Sequence, residues 1–229
     1  MRFLVLAPMP VELAPVVRAL RLQKADDGSR RGRHADHEVV AALAGVGTDR
    51  SASAAARWVA SASPDHVLVV GIAGGVRPTI AVGDLLVPAE VRDLDRGTVH
   101  QAAPLGPHAP AGVLATSGEL ILDRSVHETN AAAGIDAIDM ETSAIAAVAE
   151  GAGLPWTAFR GISDHVLDGL LDDALDLLKP DGSADVAKAV RHLARHPSKA
   201  ATMAKLASGT RAATRAATTA AVAAIAWAT

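Results

Sequence analysis

The stretch "DHVLVVGIAGG", residues 65–75, constrains the fold more than any other part of the chain. It is a continuous apolar run that ends in a glycine turn, with none of the alternation of a half-solvated strand. Such a strand is buried on both faces, so it belongs inside a sheet that carries helices on each side. "RFLVLA" (2–7), "EVVAALAGVG" (38–47), "DLLVPAEVRD" (84–93), "GVLATS" (112–117) and "WTAFRGI" (156–162) are further strand candidates. Between them, "PVELAPVVRALRL" (10–22) reads as a helix with Pro10 in its first turn. "TDRSASAAARWVASA" (48–62) reads as a second, with Thr48 in position to cap it. "KADDGSRRGRHADH" (24–37) and "GTVHQAAPLGPHAPAG" (97–112) read as loops. The alternation predicts a single α/β domain in three layers, with a central, mixed but mostly parallel sheet between helices.

Composition then removes whole classes of function. At 229 residues and 50% hydrophobic content the chain can bury a large core. Aromatics make up only 2%, so that core must be aliphatic. A net charge of -3 offers no global basic field for nucleic acid. There are no cysteines, which rules out thiolate chemistry and suits a reducing, cytoplasmic setting. "MRFLVLAPMP" is too short and too broken by Pro8 and Pro10 for a signal peptide, and reads as a first core strand. No window has the roughly 20 uninterrupted apolar residues of a membrane span.

Against that apolar background stand several acids at the ends of buried elements. Glu12 follows the first strand, Asp139 and Glu141 flank Met140 where a strand-like run turns helical, and Asp164 closes the run from Trp156. In open α/β sheets ligands gather beyond the carboxyl ends of the strands. Acids from separate parts of the chain therefore converge on one crevice. Singly, each is more simply read as a helix cap, a dipole partner or a solvated charge; as a group they suggest a site.

The segments "APMPVE", "GIAGGVRPTIAVGDLLVPAEVRD", "ATSGELI" and "IDMETSAIAAVAEGAGLPWTAFRGISD" resemble, in this order, the nucleoside phosphorylase/nucleosidase superfamily. Within it, the methylthioadenosine/S-adenosylhomocysteine nucleosidase branch is the most similar, over most of residues 1–168. The remainder, including "LLKPDGSADVAKAVRHLARHPSKAATMAKLASGTRAATRAA", is more similar to hopanoid-associated phosphorylases, which remove adenine from adenosylhopane. The resemblance implies cleavage of the N-glycosidic bond of an adenine nucleoside. It implies neither a cofactor nor a metal.

That chemistry needs acids. Cleavage leaves an oxocarbenium-like ribosyl cation and a purine that departs readily only when protonated at N7, a task for a carboxyl kept partly protonated. The resemblance gives this role to Asp164, with Ser163 orienting it, and gives Glu12 the role of base toward the nucleophile. Glu141 matches the glutamate that accepts hydrogen bonds from the ribose diol, and Met140 the methionine packed on the sugar. Ile72, Ala73 and Gly74 belong to the glycine turn beside the sugar, and Ile121 and Leu122 to the segment against the base. Three departures make the pocket greasier or smaller: Asp139 stands where those nucleosidases carry glutamate, Ile121 where they carry a stacking phenylalanine, and Ile72 where they carry serine. An aliphatic wall and a lost hydroxyl suit a bulky apolar 5′ group such as that of adenosylhopane.

Water or phosphate could be the nucleophile. Phosphorolysis wants cations around a dianion. No arginine precedes the glycine turn, and Arg77 and Arg50 read more simply as surface cations. Glu12 also suits water better than a dianion, which favours hydrolysis. Residues 183–229 form an Ala/Arg-rich helical extension with Lys188, Arg191, Arg195, Lys199, Lys205, Arg211 and Arg215. A solvated helix is the simplest reading of it; a weak, charge-dominated membrane contact and a homodimer interface are the others. The competing functions are methylthioadenosine/S-adenosylhomocysteine nucleosidase, futalosine hydrolase (where asparagine usually replaces Asp164), and a nucleoside-binding module without turnover. A metal-dependent hydrolase built on the scattered histidines ranks below these.

Overall fold

The computed structural model describes residues 1–121, 123–165 and 200–228. In chain order its elements are β1 (Arg2–Ala7), α1 (Pro10–Ala19), β2 (Gln23–Lys24), β3 (Arg30–His34), β4 (His37–Leu43) and α2 (Thr48–Ala62). They continue with β5 (His66–Gly75), β6 (Leu85–Leu86), β7 (Glu90–Asp93), β8 (Val99–Gln101), β9 (Val113–Thr116) and α3 (Arg124–Ala132). The last are β10 (Ala137–Asp139), α4 (Thr142–Gly151), β11 (Trp156–His165) and α5 (Ala200–Trp227).

One mixed sheet runs in the order β2-β3-β4-β1-β5-β10-β9-β7-β8, and β11 lies along β5 with β6 on its far side. β4, β1, β5 and β11 are mutually parallel neighbours, and so are β10, β9 and β7. The junction between the two groups is antiparallel, where Ala137 and Ile138 meet Gly75 and Gly74.

Side-chain alternation sorts the sheet into two cores. Leu4, Leu6, Val67, Val69, Trp156 and Ala158 pack on one face with Trp58 of α2 and Ile145 of α4. Phe3, Val5, Leu68, Val70 and Phe159 pack on the other with Val16 of α1 and Ala217, Ala221 and Ala224 of α5. The sheet is thus sandwiched, as an unalternating apolar β5 requires. The alanine stripe of α5 lets its backbone come very close to β11. A side chain at Gly161 would collide with the backbone of Ala213, and one at Gly209 with the carbonyl of Ser163. Part of the expected C-terminal extension therefore forms the outer layer behind β11; Lys205, Arg211 and Arg215 stay exposed on it. The four earlier basic positions, Lys188 to Lys199, lie outside the described residues.

Several local expectations need correcting. The segment 24–37 is not a plain loop: Arg30–His34 pairs antiparallel with β4. The segment 97–112 contains β8, paired with β7. The run 84–93 is broken into β6 and β7. Thr48 does not cap α2. Gly47 occupies that place with φ 90°, a left-handed conformation that glycine takes without steric cost, and Thr48 is the first helical residue. No helix among the described residues is long and apolar enough to cross a membrane.

Candidate active site

The end of β1, the Gly71–Gly75 half of β5, the end of β10 and the middle of β11 meet in one region, where Glu12, Asp139, Glu141 and Arg160 are all nearly inaccessible to solvent. Glu12 lies in the first turn of α1, just beyond β1. One of its oxygens accepts the N–H of Met9 at 2.7 Å, the reach-back of a helix-capping acid. The other accepts the N–H of Ile72 at 2.8 Å, in the glycine-rich end of β5. Both oxygens are thus fixed, yet the carboxyl is only 2% exposed. Burial pushes its pKa from 4.5 up to about 7, against the opposing pull of Arg160 and the two backbone donors.

Arg160, in the middle of β11, is the group the sequence reading missed. Its side chain is completely buried. Nη2 lies 2.5 Å from Asp139 Oδ2 and 3.7 Å from Glu141 Oε2, and Nη1 lies 3.9 Å from Glu12 Oε1. Nε and Nη2 also donate to Thr142 Oγ1 at 3.1 and 2.8 Å. One cation thus gathers three carboxylates from two separate segments. Gly71 is what allows this closeness, since a Cβ there would overlap both Glu12 Oε1 and Arg160 Nη1.

Asp139 and Glu141 divide their work. Asp139 ends β10; besides Arg160 it accepts from Thr116 Oγ1 at 2.6 Å, from the Thr142 hydroxyl and weakly from the N–H of Thr142. Its oxygens are occupied within the protein, so its geometry is that of a group holding others in place. Glu141 caps α4 by position, and its Oε1 accepts the N–H of Gly47 at 3.0 Å, which ties it to the start of α2. Burial raises its pKa, and the nearby charge of Asp139 adds to that. Met140, half-buried, sits between them.

Asp164 lies further along β11. Arg160 pairs with Gly71, Ile162 with Ala73 and Asp164 with Gly74, so Ser163 is an extra residue in the register. Such a bulge re-aims the side chain that follows it. Ser163 Oγ donates to Asp164 Oδ1 and also lies 3.4 Å from the carbonyl of Ala73. At about 3.3 Å per residue, Asp164 stands roughly 10 Å beyond the Arg160 cluster. Ile72 and Ile121 are both half-buried. The carbonyl of Ile121 accepts from Nε2 of His127 at 2.9 Å. Leu122 lies outside the described residues.

Arg77 is turned away to Asp136, at 2.8 Å, and Arg50 is exposed on the first turn of α2 beside Gly45. Among the described residues no group of three or more His, Asp or Glu side chains could hold a metal ion.

A parallel-centred sheet between two helical layers, with a buried acid–arginine cluster among its central strands, defines an α/β protein of the three-layer class. The chain belongs to the Phosphorylase superfamily, whose family model matches residues 2–115 and 99–202. It is similar to the aminodeoxyfutalosine nucleosidase of Campylobacter jejuni, at 23% identity over 72% of this chain and 86% of the relative. It is also similar to the 5′-methylthioadenosine/S-adenosylhomocysteine nucleosidase of Shewanella piezotolerans, at 25% identity over 63% of this chain and 75% of the relative. Two solved structures share the fold. The Neisseria meningitidis 5′-methylthioadenosine/S-adenosylhomocysteine nucleosidase, bound to methylthio-immucillin-A, has TM-score 0.74 at 16% identity, covering 98% of both chains. The Helicobacter pylori futalosine hydrolase has TM-score 0.73 at 15% identity, covering 98% of this chain and 97% of its own.

Proposed function

We propose that this chain is a nucleosidase that hydrolyses the N-glycosidic bond of an adenine nucleoside, releasing adenine. The observation that carries this reading is the arrangement around Arg160. It holds a buried, partly protonated Glu12 and a buried Glu141 within 4 Å of one guanidinium, at the strand ends. Relatives named nucleosidases support the reaction class. In the step itself, the C1′–N9 bond breaks and its electrons pass to the purine. Asp164, oriented by Ser163, supplies the proton at N7. Glu12 takes the proton from the water that adds at C1′, a transfer for which a pKa of about 7 is well matched. Glu141 accepts from the ribose hydroxyls, and Met140 packs on the sugar.

Water suits the cluster better than phosphate. The charge of Arg160 is already shared among Asp139, Glu141 and Glu12, so a dianion entering here would meet carboxylates whose counter-charge, among the described residues, is already engaged. Ile72 beside the sugar and Ile121 against the base make the walls aliphatic, which supports a bulky apolar 5′ substituent of the adenosylhopane kind. Each buried methylene contributes about 0.8 kcal/mol, so a long hydrocarbon would dominate specificity. The test is adenine release from adenosines of increasing 5′-alkyl length, with and without inorganic phosphate. We expect release without phosphate and kcat/KM rising with chain length. A maximum at the methylthio group would leave an ordinary methylthioadenosine nucleosidase, and strict phosphate dependence would overturn hydrolysis.

A further inference from the structure

His127 lies on the buried face of α3, immediately after the segment that would face the base, and is only 3% exposed. Its Nε2 lies 2.9 Å from the carbonyl oxygen of Ile121. A carbonyl can only accept, so Nε2 carries the proton and the ring is bound through its Nε2–H. The opposite nitrogen, Nδ1, is buried and has no hydrogen-bond partner among the described residues. A packing role does not need this residue. An aliphatic side chain would fill the space without burying an idle acceptor, so the useful feature of the imidazole here is its single N–H.

The surroundings show what that N–H holds. The 117–121 segment is also pinned at its start, where the N–H of Gly118 donates to Asp95 Oδ2 at 2.7 Å. Ser117 Oγ donates to the carbonyl of Glu119 and stiffens the turn between. Asp123 then caps α3 by accepting from the N–H of Ser125 at 2.8 Å. The main chain that leads from the sheet to α3 is therefore tied down on both sides of Ile121, and His127 supplies the tie at Ile121 itself.

We propose that His127 is a positioning residue for base recognition: by gripping the Ile121 carbonyl it fixes the Ile121 wall against the purine. This rests on the nucleosidase reading above. The residue would touch no reacting atom, so its removal should leave the chemistry and loosen the reading of the base. The experiment compares His127→Gln, whose amide can place an N–H near the position of Nε2, with His127→Asn, which is too short, and His127→Leu, which has no donor. KM and kcat are measured for 5′-methylthioadenosine and for its hypoxanthine counterpart, with circular dichroism to confirm folding.

In Asn and Leu variants the KM for the adenine substrate should rise about tenfold, the size of one hydrogen bond. The preference for adenine over hypoxanthine should fall by a similar factor, with kcat within about threefold, and Gln should restore both. A purely structural role would depress both substrates equally and leave the base preference intact, which would overturn the proposal. So would a Gln variant that behaves like Asn, a comparison that stands even if the Leu variant does not fold. If the unaltered chain releases no adenine, the nucleosidase reading fails and takes this proposal with it; if it does and the variants match it, His127 alone is refuted.

Discussion

Replacing Glu12 by Gln should make the protein more stable and nearly inactive, and the gain in stability should depend on pH in a defined direction. Glu12 is 2% exposed, and its carboxyl titrates at about 7 rather than 4.5 because ionising it costs hydration that Arg160 and two backbone N–H groups only partly replace. A carboxyl raised in the folded state contributes its full stability below the unfolded value of 4.5 and loses it as pH climbs through the folded value of about 7. The loss at pH 8 is roughly 3 kcal/mol, whereas at pH 5 it is about 1 kcal/mol or less. Gln stands in for the neutral acid and escapes this loss. Any constant offset from the hydrogen bonds of the amide cancels when the two pH values are compared. Removing the charge of Glu12 also relieves Glu141, which it helps to raise, and this acts in the same sense. For a chain of this size the Gln-minus-Glu difference in Tm should widen by roughly 5–10 °C between pH 5 and pH 8. Thermal unfolding followed by circular dichroism across that range measures it. Adenine release by the variant should meanwhile fall ~10²–10⁴-fold, and release by the unaltered chain should rise with pH through about 7. A Tm difference that is flat with pH, or that narrows towards pH 8, would refute both the desolvated state of Glu12 and its poise as a base.

Asp164→Asn should fold normally, bind nucleoside with little change and lose turnover by ~10²–10⁴-fold, read by adenine release beside equilibrium binding. Gly71→Ala should fold yet lose activity by about tenfold to a hundredfold, because its new methyl group pushes Glu12 and Arg160 apart. Near-normal kcat in this variant would show that their closeness is not needed. Arg160→Met should cost about 3–5 kcal/mol at neutral pH by stranding Asp139, Glu141 and Glu12 without a counter-charge. Lowering the pH should recover part of that loss as the carboxyls protonate; a loss that does not shrink on acidification would count against the cluster.

What could be read in advance, and what could not, follows from where each residue finds its partners. β5 is visible as a strand because burial on both faces writes itself into an unbroken apolar run, and β11 because its mainly apolar run is broken only by Thr157 and Arg160 before Ser163. β3, "RRGRH", has no such pattern; it is held by backbone pairing to β4 and its side chains are polar on both faces, so nothing in its composition marks it. Glu12, Glu141 and Asp164 stand out as acids at strand ends. Arg160 does not, because a single cation inside "WTAFRGI" looks like an ordinary outward-facing residue of a strand. The signal that could have found it is a charge balance. Several acids that share a buried crevice require a buried cation, and Arg160 is the basic residue closest in sequence to the Asp164 end of the same run. His127 carries no comparable signal. Its bond to Ile121 depends on how α3 folds back on the preceding loop, which no local pattern records.

The bulge at Ser163 explains how one strand can serve both ends of the site. In an unbroken strand Arg160, Ile162 and Asp164 would alternate onto the same face, the one covered by α2 and α4, where Ile162 packs in the core. An aspartate there would be buried against aliphatic side chains. One inserted residue shifts the side-chain phase by a step. Asp164 then pairs opposite Gly74 and is bonded by Ser163, while Arg160, before the insertion, keeps its inward direction towards Asp139 and Glu141. The close packing of α5 supports this arrangement from behind, since Gly209 lies against the carbonyl of Ser163 and any side chain there would displace the bulge. The alanine-rich helix that looks uninformative in the sequence is thus coupled to the aspartate proposed as proton donor. Lost packing along α5 should be felt first at Asp164 and less at Glu12, whose two oxygens are held by the backbone N–H groups of Met9 and Ile72.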